Sequence, residues 1–237
     1  MTSARPITGL SAIVLAIAFN VPYAMLAATY DYPAVLRRPA GEALDMFAAG
    51  GSNLIITWHL FALCALLLVP MALALTLTPK SVAQTPGLAI GAAIAGSLAG
   101  LAQAMGLWRW VFVVPGLARL HADPATSDEA RRAAEQTFDL INQYGGVAIG
   151  EHLGQLLTAL FVCLLSVMQW RTSRHITAGL GFLTVIAIVL GTNEGLAIAL
   201  GHSGDTFALA TIAGYLGLSL WLIATGIGLL RAPARGS

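Results

Sequence analysis

Long apolar runs, and not an alternation of hydrophobic and polar positions, dominate this chain. Six stretches each contain roughly 20 or more mostly apolar residues, the length at which a helix crosses about 30 Å of hydrocarbon. The pattern therefore predicts an all-α fold, a bundle of six transmembrane helices that forms one domain over residues 1–237. The first run is longer than the apolar part of a usual signal peptide, so we predict a retained membrane helix there. The predicted spans are Ile7–Thr29, Asn53–Leu77, Gly87–Val114, Val147–Met168, Ile176–Leu200 and Phe207–Leu230.

The composition agrees with a membrane protein and excludes an ordinary soluble enzyme. Hydrophobic side chains make up 57% of the 237 residues and charged side chains 10%, whereas soluble domains carry about 25% charged residues. The net charge of +1 shows no basic field for nucleic acid and no acidic tail. The expected partner is therefore the lipid bilayer, and no nucleic acid is expected.

The charges outside the spans predict the orientation of the chain. One set of loops and termini carries basic residues and no acid: Arg5, Lys80, Arg171, Arg174, Arg231 and Arg235. The opposite loops carry most of the acids, so the positive-inside rule predicts both termini in the cytoplasm. Residues 30–52 and 115–146 are then exterior loops. In the second of them Ser127, followed by Asp128 and Glu129, predicts the start of a short interfacial helix.

An offset of 93 residues aligns two parts of the chain. At this offset Val21-Pro22 matches Val114-Pro115, and His59-Leu60 matches His152-Leu153. The matches favour a duplicated hairpin, with spans one and two related to spans three and four by a pseudo-two-fold axis. The alternative is that both hairpins share only their turn residues, a proline that ends one span and a glycine pair that starts the next.

Ionisable residues inside the predicted spans give the strongest functional signal. A charged residue at a helix centre costs about 2.5–3.5 kcal/mol in hydrocarbon, so such residues usually face a bundle interior or a polar cavity. Given the predicted orientation, they fall in the outer half of the membrane and come from at least four helices. They predict a polar pocket that opens to the exterior and binds a small ligand or a lipid headgroup. The candidate ligand-binding residues are His59, Arg109, Glu151, His152, Gln155, Asn193 and Glu194.

Some of these residues also have a purely structural interpretation. Arg109, flanked by Trp108 and Trp110, is typical of an interfacial anchor that reaches the lipid headgroups. Otherwise it is a partner for Glu151 or Glu194. The glycines on either side of Glu194 are typical of a kink that lines a binding site, or of close helix packing.

The two histidines permit a sharper hypothesis. His59 and His152 are candidate ligands of a haem b or, with Glu151 or Glu194, of a divalent metal. No H-x-x-x-H, H-E-x-x-H or cysteine-rich spacing supports a metal directly. A histidine in a membrane helix is more often hydrogen-bonded to a neighbouring helix. Catalytic residues stay unknown, because the chain has no G-x-S-x-G elbow and no glycine-rich phosphate loop.

Three segments resemble those of a family of bacterial membrane proteins. They are Asp31–Arg37 after the first span, Arg109–Pro115 at the end of the third, and Gly150–Gln155 in the fourth. Together they resemble the domain-of-unknown-function 4386 family, whose length and number of spans are also similar over nearly the whole chain. The resemblance implies a polytopic bacterial membrane protein. It brings no assigned activity, so it gives no residue here a catalytic role.

The sequence thus favours a multispanning inner-membrane protein with a ligand-binding or lipid-binding pocket in its outer half. Three alternatives stay open. The protein is a redox or metal subunit that uses His59 and His152, a secondary transporter in which Glu151 or Glu194 takes up protons, or a structural subunit of a homo-oligomer or membrane complex. The cytoplasmic halves of the spans contain no acid, base or histidine for a proton relay, which counts against the transporter.

Overall fold

The computed structural model describes residues 4–231, and this part of the chain contains no β-strand. The predicted cytoplasmic Arg235 lies outside the described residues. Six helices are long and apolar enough to cross a membrane, which confirms the predicted all-α multispanning protein. They are Arg5–Tyr30, Ala40–Thr76, Pro86–Ala122, Asp128–Arg171, His175–Ala199 and Asp205–Leu230.

Breaks within and between these helices define the individual segments. The α-helices are α1 (Ala4–Tyr30), α2 (Ala40–Leu66), α3 (Leu68–Thr76), α4 (Pro79–Gln84), α5 (Pro86–Phe112), α6 (Val114–Ala122), α7 (Asp128–Ile141), α8 (Gly154–Arg171), α9 (His175–Gly191), α10 (Asn193–Ala199) and α11 (Asp205–Leu230). A 3₁₀ turn (Ala34–Arg37) lies between α1 and α2. A π-helical stretch, Asn142–Leu153, joins α7 to α8 and is named the π segment.

The predicted helix start at Ser127 is confirmed. Ser127 is the N-cap of α7, and its hydroxyl oxygen accepts a hydrogen bond from the Ala130 amide at 3.3 Å. Asp128 and Glu129 occupy the first turn, where their charges are favourable at the positive end of the helix dipole. Much of the predicted exterior loops is helical, since α2 begins at Ala40 and α6 and α7 together cover most of residues 114–141.

One predicted interruption is present, and the structure adds a second. Helix α9 ends at Gly191 and α10 begins at Asn193, so the fifth span breaks within the predicted glycine-containing stretch. In α2, Gly51 has φ +61°, a backbone conformation that a residue with a side chain rarely adopts, and the helix kinks there. The duplication stays a prediction. Pro22 lies inside the continuous α1, whereas Pro115 follows a break at Val113.

The contacts within the chain group into two compact units. Unit 1 comprises residues 4–18, 67–101 and 152–231 of the described chain, and unit 2 comprises residues 19–66 and 102–151. In unit 1, α9 packs against both α8 and α11. Its interior contains many alanines of α1 and α5 around the rings of Phe161 and Trp221, whose centroids are 5.8 Å apart. Small residues on these faces let helix backbones approach closely, which is how helices associate in lipid.

A polar network crosses the core of unit 1. The Gln169 amide donates a hydrogen bond to the Thr225 hydroxyl at 3.0 Å, and the Trp221 indole donates one to the Gln169 carbonyl at 3.1 Å. All three side chains are at most 5% exposed. The network therefore joins α8 to α11 through groups that lipid could not satisfy.

The large apolar side chains of α1 lie on its outer face. Ile7, Leu10, Val14 and Ile17 are between 54% and 64% exposed, and their spacing places them on one stripe of the helix. Ala12 and Ala16 are buried on the opposite side. An apolar stripe of this kind is expected to contact lipid in a membrane protein.

Unit 2 is built around α2, α6 and α7, and α6 packs against both of the others. Its core is aromatic. The rings of Trp58 and Trp110 are stacked, with centroids 4.9 Å apart and planes 9° apart, and Tyr30 meets Trp110 edge to face at 5.6 Å. The Tyr30 hydroxyl donates a hydrogen bond to the Ala43 carbonyl at 2.9 Å. These rings pack beside the Arg109 guanidinium, which lies over the Trp110 ring near the end of α5.

Candidate functional site

Arg109 is a buried cation in unit 2, near the C-terminal end of α5. The residue is 7% exposed, so its interpretation as a lipid-facing anchor is wrong. One terminal nitrogen donates a hydrogen bond to the Gly106 carbonyl, and the other donates one to the Asn142 Oδ1 at 3.0 Å. The Nε–H of Arg109 is buried and has no hydrogen-bond partner. The guanidinium also lies 5.1 Å from the ring centroid of Trp110.

Glycines of the π segment make room for this guanidinium. A Cβ atom built on Gly146 would lie 2.6 Å from both Cζ and one terminal nitrogen of Arg109. Likewise, a Cβ on Gly106 would lie 2.6 Å from the Cα of Gly150, so α5 and the π segment touch backbone to backbone. The absence of these side chains allows Arg109 to lie flat against the π segment. Short π-helical stretches are rare and frequently occur at functional sites.

Glu151 pairs with an arginine that the sequence did not single out. The Arg37 terminal nitrogen and the Glu151 Oε2 are 2.5 Å apart, and the side chains are 28% and 23% exposed. The other carboxylate oxygen of Glu151 is buried without a hydrogen-bond partner. Arg37 ends the 3₁₀ turn after α1 and Glu151 lies in the π segment. In the sequence Arg37 lies within a predicted exterior loop, where nothing indicates a partner in the fourth span.

Asn142 connects the parts of this cluster. Its Oδ1 accepts the hydrogen bond from Arg109, and its Nδ2 donates one to the Leu36 carbonyl at 3.2 Å. One amide side chain thus joins α5, the 3₁₀ turn and the end of α7. Arg37, Arg109, Asn142 and Glu151 are named the arginine cluster. The family resemblance of the Asp31–Arg37 segment is the sequence feature that includes Arg37, whereas no feature of the sequence indicates a role for Asn142.

The hydrogen-bond partners of the Arg109 guanidinium are neutral groups, the Gly106 carbonyl and the Asn142 side chain, and none is a carboxylate. Glu151 and Arg37 are the charged groups that act electrostatically on Arg109 within the described residues. An arginine in a protein does not lose its proton, so the buried Arg109 guanidinium stays charged. A buried charge of this kind is costly unless it is paired. The arrangement is therefore suited to an anionic group.

Several other buried polar groups of unit 2 have no hydrogen-bond partner. The indole N–H groups of Trp58, Trp108 and Trp110 are buried and have no hydrogen-bond partner. His59, also in unit 2, has a buried Nδ1 that makes no hydrogen bond. Buried polar groups in folded proteins are usually hydrogen-bonded, so a concentration of exceptions merits a functional explanation.

The remaining predicted site residues belong to unit 1. The Nδ1 of His152 lies 3.0 Å from the Thr192 carbonyl oxygen. Gln155 is 4% exposed, and its Oε1 has no hydrogen-bond partner. Asn193 donates hydrogen bonds to the carbonyls of Val189 and Leu190 at the end of the preceding helix α9.

The side chain of Glu194 lies close to the backbone of Gly204. A Cβ built on Gly204 would lie 2.7 Å from the Cγ of Glu194. The structure therefore brings Arg109 and Glu151 into one cluster in unit 2, together with Arg37 and Asn142. A single pocket that also includes the unit 1 residues stays a prediction.

Within residues 4–231, no group of three or more His, Cys, Asp or Glu side chains is arranged to hold a metal ion. The hypothesis that His59 and His152 bind a haem b, which needs only two ligands, stays a prediction. The carbonyl contact of His152 is the structural alternative that the sequence favoured, since a membrane histidine usually bonds to a neighbouring helix.

Comparison with known proteins gives one match. The family model described as "Domain of unknown function (DUF4386)" matches residues 7–226 of this chain. No curated protein and no solved structure matches.

Proposed function

The chain belongs to the DUF4386 family of unknown function, and we propose that it binds an anionic group, from a small molecule or a lipid headgroup, at its arginine cluster. The observation that carries this proposal is the buried Arg109 guanidinium, which has no carboxylate partner and an Nε–H that makes no hydrogen bond. A carboxylate or phosphate oxygen would supply both the missing negative charge and the missing acceptor.

Glu151 occupies the place of such an anion at the rim of the cluster. Its carboxylate binds Arg37, which is partly exposed. Arg109 is the buried member of the cluster. An incoming anion competes with Glu151 for Arg37. Once it has displaced the carboxylate, it interacts electrostatically with both Arg37 and Arg109. Replacing Glu151 by glutamine removes the competitor, so the proposal predicts tighter anion binding by that variant.

We also propose that the protein lies in the cytoplasmic membrane of a bacterium, with both termini inside. The support is the distribution of basic and acidic loop residues, which matches the positive-inside rule. In that orientation Arg37 and the 3₁₀ turn lie towards the exterior leaflet. The ligand then arrives from the exterior or from the outer leaflet.

The binding test uses the whole protein in a neutral detergent, with the thermal midpoint Tm followed by tryptophan fluorescence. The probes are phosphatidylglycerol, the zwitterionic phosphatidylethanolamine and inorganic phosphate. At about 100 times Kd, a ligand stabilises by about 2.7 kcal/mol, which raises the Tm by roughly 5–10 °C. An increase with phosphatidylglycerol alone identifies a lipid headgroup, and an increase with phosphate as well identifies a free anion.

Three variants decide whether the arginine cluster is responsible. Arg109→Gln should weaken binding about 10- to 100-fold, the effect of losing a hydrogen bond to a charged group. Arg119→Gln removes an exposed charge of α6 and serves as the matched control, and Glu151→Gln should strengthen binding. The proposal is refuted if phosphatidylethanolamine stabilises as well as phosphatidylglycerol, or if the two arginine variants weaken binding equally.

A further inference from the structure

His121 lies on a part of unit 2 that extends past the membrane. Helix α5 alone has 27 residues, about 40 Å at 1.5 Å per residue, which exceeds the hydrocarbon thickness of about 30 Å. Helix α6 follows α5 after the break at Val113, and His121 is close to its C-terminal end. The imidazole is therefore outside the hydrocarbon, and on the predicted orientation it is exterior.

Both ring nitrogens of His121 contact carboxylates from different helices. Nδ1 is 2.8 Å from the Asp45 Oδ1 of α2, and Nε2 is 2.9 Å from the Glu135 Oε1 of α7. The histidine side chain is 12% exposed, whereas those of Asp45 and Glu135 are 64% and 38% exposed. One side chain thus ties α6 to both of the helices that pack against it.

Only the protonated ring can make both contacts. An ionised carboxylate is an acceptor and has no proton to donate, and a neutral imidazole has a single N–H. The imidazolium has two N–H donors, one for each carboxylate. When the ring loses its proton, an unprotonated nitrogen faces a carboxylate oxygen, and one of the two contacts is lost.

The other charged groups on the neighbouring helices are engaged elsewhere, line an adjoining cavity or, like Asp128 and Glu129 in the first turn of α7, are exposed. On α2, Glu42 pairs with Arg38. On α7, Arg131 donates to the Asp123 carbonyl at 2.9 Å. Arg132 and Asp139 of α7, together with Glu42 and Glu135, line a cavity of about 520 Å³ between the start of α2 and α7. Asp45 and Glu135 are the groups whose charges act on the imidazole.

From this geometry we propose that His121 is a pH-sensitive latch, which holds α2, α6 and α7 together when it is protonated and releases α2 when it is neutral. The Asp45 contact is the one that opens, because its carboxylate is the more exposed of the two and water solvates it at little cost. Glu135, which keeps its contact, forms part of the cavity wall. The latch therefore couples the exterior pH to the contact between α6 and α2.

The expected pH dependence follows from the direction of the pKa shift. Burial alone would lower the pKa of His121, but its hydrogen bonds to Glu135 and Asp45 outweigh burial and raise the pKa above its ordinary value. Proton binding therefore favours the folded, latched state. The stabilisation is complete below the unfolded-state pKa of about 6.5 and disappears as the pH rises through the folded-state pKa.

The latch is tested by titration of the whole protein with ¹³C-labelled histidine followed by NMR. The signal of His121 is assigned by its loss in His121→Gln. We expect a measured pKa above about 6.5, and a lower value in Asp45→Asn, which removes one carboxylate from an exposed position and should leave the fold intact. A measured pKa at or below about 6.5 in the wild type, or one that Asp45→Asn does not lower, would overturn the proposal.

Thermal unfolding gives a second readout. The wild-type Tm should fall by about 2–4 °C between about pH 6 and about pH 8.5, the shift expected for loss of one partly exposed ion pair. His121→Gln should abolish this fall. The control His202→Gln alters an exposed loop histidine and should leave the fall unchanged. If the fall persists in His121→Gln, the latch is refuted.

Discussion

Gly146→Ala tests most directly the close packing of the Arg109 guanidinium against the π segment. The added methyl carbon would lie 2.6 Å from the Arg109 Cζ and 2.6 Å from one of its terminal nitrogens, well inside van der Waals contact. The guanidinium cannot move aside without loss, because it is buried and donates to Asn142 and to the Gly106 carbonyl. Alanine is intrinsically favoured over glycine in a helix by about 0.5–1 kcal/mol, so any destabilisation reports on the overlap.

Two costs and one gain determine the magnitude. Overpacking a well-packed interior costs about 1–3 kcal/mol, and a weakened hydrogen bond from a charged donor adds about 1.5–3 kcal/mol when it is lost completely. After the gain in helix propensity is subtracted, Gly146→Ala should lower the free energy of unfolding by about 1–3 kcal/mol. In a chain of this size each kcal/mol corresponds to about 2–4 °C in Tm.

The assay is thermal unfolding of the purified protein, with Gly145→Ala as a matched control. A Cβ on Gly145 meets no atom within 4 Å, so the control should be neutral or slightly stabilising. The Arg109→Ala background provides the decisive comparison, since removing the guanidinium should remove most of the cost of Gly146→Ala. The reasoning fails if both glycine variants destabilise equally, or if the cost is the same with and without Arg109.

Two further predictions concern other parts of the molecule. Gln169→Leu removes the acceptor of the Trp221 indole and the donor to Thr225. It should lower the free energy of unfolding, measured by thermal unfolding, by about 1–3 kcal/mol. An equal loss in the control Gln143→Leu, which alters an exposed residue, would contradict this. Ser127→Ala removes the N-cap of α7 and should cost about 0.5–2 kcal/mol, seen as faster hydrogen exchange in the first turn of that helix. Ser127→Asp keeps an acceptor and should restore slow exchange, and a failure to do so would count against the cap.

The membrane character and several helix ends depend only on residues that are close together in the sequence. A run of apolar residues long enough to cross the hydrocarbon is a property of a window of sequence, so all six spans were predictable. The cap at Ser127 and the break between Gly191 and Asn193 are also local, because they depend on residues a few positions apart.

The extent of the helices was less predictable. Helix α2 begins at Ala40, well before the predicted span at Asn53, because the polar residues between them suit a helix outside the membrane as well as a loop. Hydropathy distinguishes lipid-facing from water-facing segments and does not distinguish an exposed helix from a loop. The π segment was not foreseen either, since its backbone follows from the close approach of Gly106 and Gly150.

The chemistry of the candidate site was determined by the tertiary structure. Sequence reasoning found Arg109 and Glu151 because ionisable residues are rare in apolar spans, but the partner of Glu151 is Arg37, 114 positions away. Asn142 and the contacts of His121 were equally hidden. A span is recognised from the sum of its residues, whatever the rotation of the helix about its axis. Which side chains meet depends on that rotation and on the register between helices, and packing alone sets both.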